Sequence, residues 1–175
     1  MKYIPALTAV IFCAAFGGNP AVTAAAQERP NIVFILADDH APWATSHSGD
    51  PNADTPNMDR LYREGADVVH AFTTTPVCSP SRAGLISGRY GTEVGITEWI
   101  NPRTEADLGL DPQTPAWPRL LAAAGYRTGL VGKWHLGTQD RFHPSQFGYQ
   151  YFMGFRAGGT TPRDPVLEVD GVEKK

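Results

Sequence analysis

Asn31-Ile32-Val33-Phe34-Ile35-Leu36-Ala37 is a continuous apolar run bounded by Pro30 and by Asp38-Asp39. A strand with one wet face alternates apolar and polar residues. An unbroken run of this kind therefore predicts a strand buried on both faces, as in a parallel sheet covered by helices. The chain beyond it keeps to that scheme. Thr55-Pro56 predicts a helix start, with Met58, Leu61 and Tyr62 as its apolar stripe and Gly65 as its stop. Residues 67–72 read as a second strand, and residues 79–87 as a helix with Pro80 near its start and Gly88 near its end. Residues 114–124 predict a further helix closed by Gly125, leading into a third strand over 126–133, and the aromatic, Gly-punctuated stretch 147–155 reads as strand or extended chain. This alternation predicts an α/β fold, mainly a parallel sheet flanked by helices, with functional residues at the carboxyl ends of strands. Asp38, Asp39, Lys133 and His135 fall at such ends.

Composition narrows the function classes. With 15 Lys+Arg against 18 Asp+Glu the net charge is -3, which gives no broad attraction to nucleic acid or anionic lipid. An anion bound here must be held by a local site. Residues 1–26 read as an export signal: Lys2 is followed by a largely apolar stretch, and small residues around Ala24-Ala25-Ala26 offer cleavage sites. The apolar stretch falls short of the ~20 residues that span a bilayer, so no membrane span is expected and the mature part, 27–175, is placed in the periplasm or outside the cell. After Ala26 the only cysteine is Cys78. An unpaired cysteine is unusual in an oxidising compartment, and its neighbours Pro76, Ser79, Pro80 and Ser81 suit chemistry better than burial.

Cys78-Ser79-Pro80-Ser81-Arg82, followed by Ala83-Gly84-Leu85-Ile86-Ser87-Gly88-Arg89, resembles the signature of the type I sulfatases of the alkaline-phosphatase-like superfamily. Three other stretches are similar to family motifs in the same order: Pro30-Asn31-Ile32-Val33 leading to Asp38-Asp39, Thr55-Pro56-Asn57-Met58-Asp59-Arg60-Leu61, and Gly132-Lys133-Trp134-His135-Leu136-Gly137. The resemblance implies that a separate formylglycine-generating enzyme oxidises Cys78 to formylglycine. It also implies a calcium ion held by Asp38, Asp39 and position 78. The expected substrate is a sulfate ester, either an aryl sulfate or a sulfated carbohydrate. It further implies that Lys133 contacts the sulfate group and formylglycine, and that His135 takes a proton from the second hydroxyl so that sulfate leaves and the aldehyde reforms.

Elementary chemistry assigns compatible roles. The oxygens of a sulfate ester repel a nucleophile, so the site needs positive charge and a strong nucleophile together. Position 78 lies at a predicted helix start, where free N–H groups favour an anion, and Arg82 stands about one turn later. Asp38 and Asp39 are hard oxygen donors suited to calcium or magnesium, provided the chain bends so that both reach one ion. Lys133 and His135 are two apart and share a face if the strand continues through them; histidine suits a proton transfer near neutrality. His40, His47, His70 and His143 have no comparable support and are expected to be structural or exposed. Two carboxylates and position 78 do not fill a calcium shell of about six to eight oxygens. The sequence therefore reads as the N-terminal part of a longer catalytic domain. The alternatives are a phosphonate or phosphodiester hydrolase of the same superfamily, and an inactive secreted fragment or anion-binding module.

Overall fold

A computed structural model describes residues 29–41 and 43–174. The expected export signal lies outside the described residues. Contacts divide the chain into two units, Met1–Ala37 and Asp38–Lys175. None of the helices among the described residues is long and apolar enough to cross a membrane.

In the first unit the apolar run is not the buried strand that its composition predicts. Its described residues carry no regular secondary structure, and Ile32, Val33, Phe34, Ile35 and Leu36 are all exposed, Val33 to 83%. Apolar composition expresses a preference for burial, whereas a strand exists only where a neighbouring backbone supplies a ladder of hydrogen bonds. No strand ladder among the described residues includes this run. Residues 67–72 differ from expectation for the same reason: they form a turn and irregular chain, with Val68, Val69 and Phe72 exposed.

Among its described residues the second unit holds three α-helices, three short 3-10 turns and one sheet. Helix α1 (Pro56–Glu64) has proline in its first turn and Gly65 after its last residue. It buries none of its residues; a polar knot anchors it instead. The Asp59 carboxylate accepts from the Ser46 and Thr55 hydroxyls and from the His47 backbone N–H, and the His47 ring stacks on Tyr62 at 4.3 Å. Helix α2 (Cys78–Ser87) is stopped by Gly88 in the left-handed conformation and buries Ser79, Pro80, Ala83, Gly84 and Ile86. Helix α3 (Trp117–Ala123) starts three residues later than the sequence suggests, because Ala116 is extended and Pro118 fixes the first turn.

The sheet is mixed, which corrects the expectation of a mainly parallel one. Strands β1 (Gly129–Lys133), β2 (Tyr151–Phe155), β3 (Leu167–Val169) and β4 (Val172–Lys174) lie in that order. Only β1 and β2 run parallel; β2–β3 and β3–β4 are antiparallel. The β3–β4 hairpin turns on Asp170-Gly171, both at positive φ, as an Asp-Gly pair between short strands permits. The core joins helix α2 to the sheet through Ala83, Ile86, Ile96, Ile100, Leu110, Trp134, Leu136, Phe147 and Phe152. Trp134 is its anchor below the site: its Nε1 donates to the Phe142 carbonyl at 2.8 Å, and its ring packs on Phe147 at 5.1 Å.

Candidate active site

Cys78 is the first residue of α2, and its partly buried thiol lies 3.9 Å from Asp38 Oδ1. Asp38 Oδ2 accepts from Lys133 Nζ at 2.8 Å and lies 3.5 Å from Arg82 Nη2. The other arm of Arg82 donates from Nη1 to the Lys133 carbonyl at 2.8 Å. Helix α2, the end of β1 and the Asp38 turn are thus fastened together by one carboxylate and one guanidinium. Arg82 and Lys133 keep only 14% and 11% of their side chains exposed, so neither is a solvated surface cation. The Lys133 ammonium bonded to Asp38 holds its carboxyl below the ordinary range, overcoming the upward effect of partial burial, with Arg82 adding to the depression.

Asp39 is exposed and adopts φ 53°, a left-handed turn at the residue after Asp38. The chain therefore bends at the second of the two acids. Among the described residues no group of three or more His, Cys, Asp or Glu side chains is arranged to hold a metal.

His135 does not continue the strand. β1 ends at Lys133, and His135 sits at φ 58°. The segment remains tied to β2 through Trp134 N–H to the Phe155 carbonyl and His135 N–H to the Arg156 carbonyl, each at 3.0 Å. Lys133 and His135 therefore do not share a face as strand neighbours. Lys133 turns to Asp38, while the His135 ring is buried against the Trp99 edge at 5.6 Å, with Nε2 3.0 Å from the Ile100 carbonyl. A carbonyl only accepts, so Nε2 carries the proton. Nδ1 is then an acceptor, and it is buried with no hydrogen-bond partner. Burial is the first cause that pushes the His135 pKa down; the Ile100 carbonyl acts upward, and the charges of Lys133 and Arg82 push further down. The ring is a neutral base near two cations.

Two contributors escaped the sequence reading of roles. The Ile100 backbone holds His135, and the fully buried Ser79 hydroxyl accepts the Ile100 N–H at 3.1 Å. Their positions beside Trp99 and beside Cys78 were the only signal in the sequence. Of the remaining histidines, His47 belongs to the polar knot on α1, and His143 lies 3.0 Å from Glu168 but out of line for a hydrogen bond.

The Sulfatase family pattern matches residues 30–170. This chain belongs to the sulfatase family. It is 36% identical over 140 residues to mouse N-acetylgalactosamine-6-sulfatase, covering 76% of this chain and 27% of the relative. It is 40% identical over 126 residues to rat arylsulfatase G, covering 72% of this chain and 24% of the relative. The chain thus spans about a quarter of the length of these curated relatives. Among solved structures, Ps i-CgsB superposes with a TM-score of 0.77 at 30% identity, covering 85% of this chain and 38% of that one. A Bacteroides thetaiotaomicron structure described under the metabolism of multiple glycosaminoglycans superposes with a TM-score of 0.72 at 31% identity, covering 83% and 32%.

Proposed function

We propose that this sulfatase-family chain carries the nucleophile half of a site that hydrolyses sulfate esters in an exported, periplasmic or extracellular protein. The observation that carries the proposal is the meeting of Cys78, Arg82, Lys133 and Asp38 at the start of one helix, with a neutral, unpartnered His135 Nδ1 nearby in the fold. The names of the relatives favour a sulfated sugar or an aryl sulfate as substrate.

In the mature protein a formylglycine hydrate replaces the thiol of Cys78, so the sulfur stands where hydrate oxygens would lie. Lys133 and Arg82 bind and orient the sulfate oxygens. The hydrated position 78 would supply the attacking hydroxyl: as its oxygen bonds to sulfur and the sulfur–oxygen bond to the alcohol breaks, the proton the hydroxyl gives up balances the one the leaving oxygen takes, so the alcohol departs neutral. His135 Nδ1 then takes the proton of the second hydroxyl, the carbon–oxygen bond to sulfate breaks, and the carbonyl reforms. A depressed pKa suits His135 to this role, since the base must be neutral when the proton moves.

The donor chemistry fits a hard cation. Asp38, with 42% of its side chain exposed, and the exposed Asp39 at the bend are carboxylates, and with position 78 they are the residues of this chain that would hold calcium. Bound there, calcium supplies positive charge that makes the position 78 hydroxyl more acidic.

Co-expression with a formylglycine-generating enzyme, followed by mass spectrometry of the Cys78 peptide and assays on an aryl sulfate and an aryl phosphonate, tests the proposal. The expected result is an aldehyde at position 78 and, in a complete catalytic domain carrying these residues, preference for the sulfate with turnover lost in Cys78→Ala. A persistent thiol, or preference for the phosphonate, refutes it.

A further inference from the structure

We propose that Ser79 is a positioning residue for His135, acting through the backbone of Ile100. The proposal rests on the role assigned to His135 above, but it concerns a connection that the motif itself does not explain.

Ser79 directly follows the cysteine, where a side chain could face solvent. Instead it is wholly buried in the first turn of α2, and its hydroxyl accepts the Ile100 N–H at 3.1 Å. The carbonyl of that same residue reaches His135 Nε2 at 3.0 Å. Ile100 is itself buried, so both its backbone polar groups need partners inside the protein, and one side chain and one ring supply them. A single residue therefore bridges the neighbour of the nucleophile and the far nitrogen of the base.

The bridge fixes which nitrogen is the base. With Nε2–H bonded to the Ile100 carbonyl, only Nδ1 is left to accept a proton. Gly158 leaves the ring the room to sit in this position. A Cβ at Gly158 would stand 2.8 Å from both Cε1 and Nε2 of His135 and 3.0 Å from Trp99 Nε1. Removing the Ser79 hydroxyl leaves the buried Ile100 N–H without this acceptor. The 99–101 segment must then shift to find another, carrying the Ile100 carbonyl away from Nε2.

The test begins with ring-nitrogen NMR on the full chain with labelled histidine. In the wild type, His135 is expected as the Nε2–H form, with a ring proton protected from solvent exchange. An Nδ1–H ring in the wild type overturns the proposal without any variant. In Ser79→Ala the protection of that proton and of the Ile100 amide is expected to be lost, and Ser79→Thr is expected to restore both. In a complete, co-expressed catalytic domain carrying these residues, Ser79→Ala should lower kcat about tenfold or more through slow sulfate release, with kcat/KM for the attack step much less affected. A folded Ser79→Ala protein with full protection and full kcat refutes the positioning role. Wild-type protein that keeps an unmodified thiol at position 78 after co-expression would instead refute the sulfatase reading, whatever the NMR result.

Discussion

Gly154→Ala is expected to dismantle the connection that carries Lys133 and His135. Gly154 on β2 is the register partner of Gly132 on β1, and an added Cβ would lie 1.8 Å from the Gly132 carbonyl oxygen. Carbon–oxygen contacts settle near about 3.3 Å, so the shortfall is about 1.5 Å. That is roughly a third of the ~4.8 Å spacing between strands, and a methyl group has no rotamer with which to avoid it. Overpacking of this sort costs about 1–3 kcal/mol. Parting the strands also strains the two bonds that follow, Trp134 N–H to Phe155 and His135 N–H to Arg156, at about 1 kcal/mol each. The sum, about 3–5 kcal/mol, approaches the whole stability of a small domain. Gly132→Ala is the control: its Cβ would meet nothing within 4 Å, so only the φ of 117° opposes it, at about 1–3 kcal/mol. Urea denaturation and amide hydrogen exchange compare the two variants. Gly154→Ala should be the less stable and should lose protection at Trp134 and His135, while Gly132→Ala keeps it. Equal losses, or retained protection in Gly154→Ala, would show that steric contact across β1–β2 does not set this geometry.

The remaining predictions concern charge. The buried Glu168 binds Arg156 through two hydrogen bonds of 2.6 and 2.7 Å, so Glu168→Ala should cost about 3–5 kcal/mol by leaving a half-buried guanidinium without its main partner; a fall in Tm of less than about 2 °C would contradict this. Because the His135 pKa is lower in the folded chain than in the unfolded one, the fold binds fewer protons near neutrality. Stability from this group is present above the unfolded value of about 6.5 and is lost as pH falls through the folded value, and His135→Gln should flatten that part of the pH–stability curve.

What the sequence made legible is local chemistry. Pro56 and Gly65 delimit α1, Gly88 stops α2, and the strand leading to Lys133 follows a helix as the alternation requires. The misplaced strands were those whose evidence was composition alone: 31–37 and 67–72 are apolar enough to be buried, but nothing in an apolar run names the backbone that will pair with it. The β3–β4 hairpin had a usable signal in Asp170-Gly171 and was not read as one. The motifs named Asp38, Cys78, Arg82 and Lys133 as parts of one site, and the structure shows how they meet: Asp38 touches the other three. The posture of His135 was not legible, because spacing assumes that a strand continues, whereas a residue at φ 58° leaves the strand's alternation altogether.

Asp38 has a further task in the contact set, apart from any ion it would hold. Lys133 and Arg82 are both mostly buried and bear the same charge, beside an imidazole that burial keeps neutral. Without an anion between them they would repel each other and turn toward water. Asp38 lies within 2.8 Å of one and 3.5 Å of the other, offsetting that repulsion before any substrate arrives. The two cations are thus already assembled on one anionic partner. Asp38 is the carboxylate bonded or paired to both cations, and Asp39 follows it directly in the chain. The start of α2 adds free helix N–H groups to this pair of cations, a local setting that favours an anion although the chain as a whole carries -3.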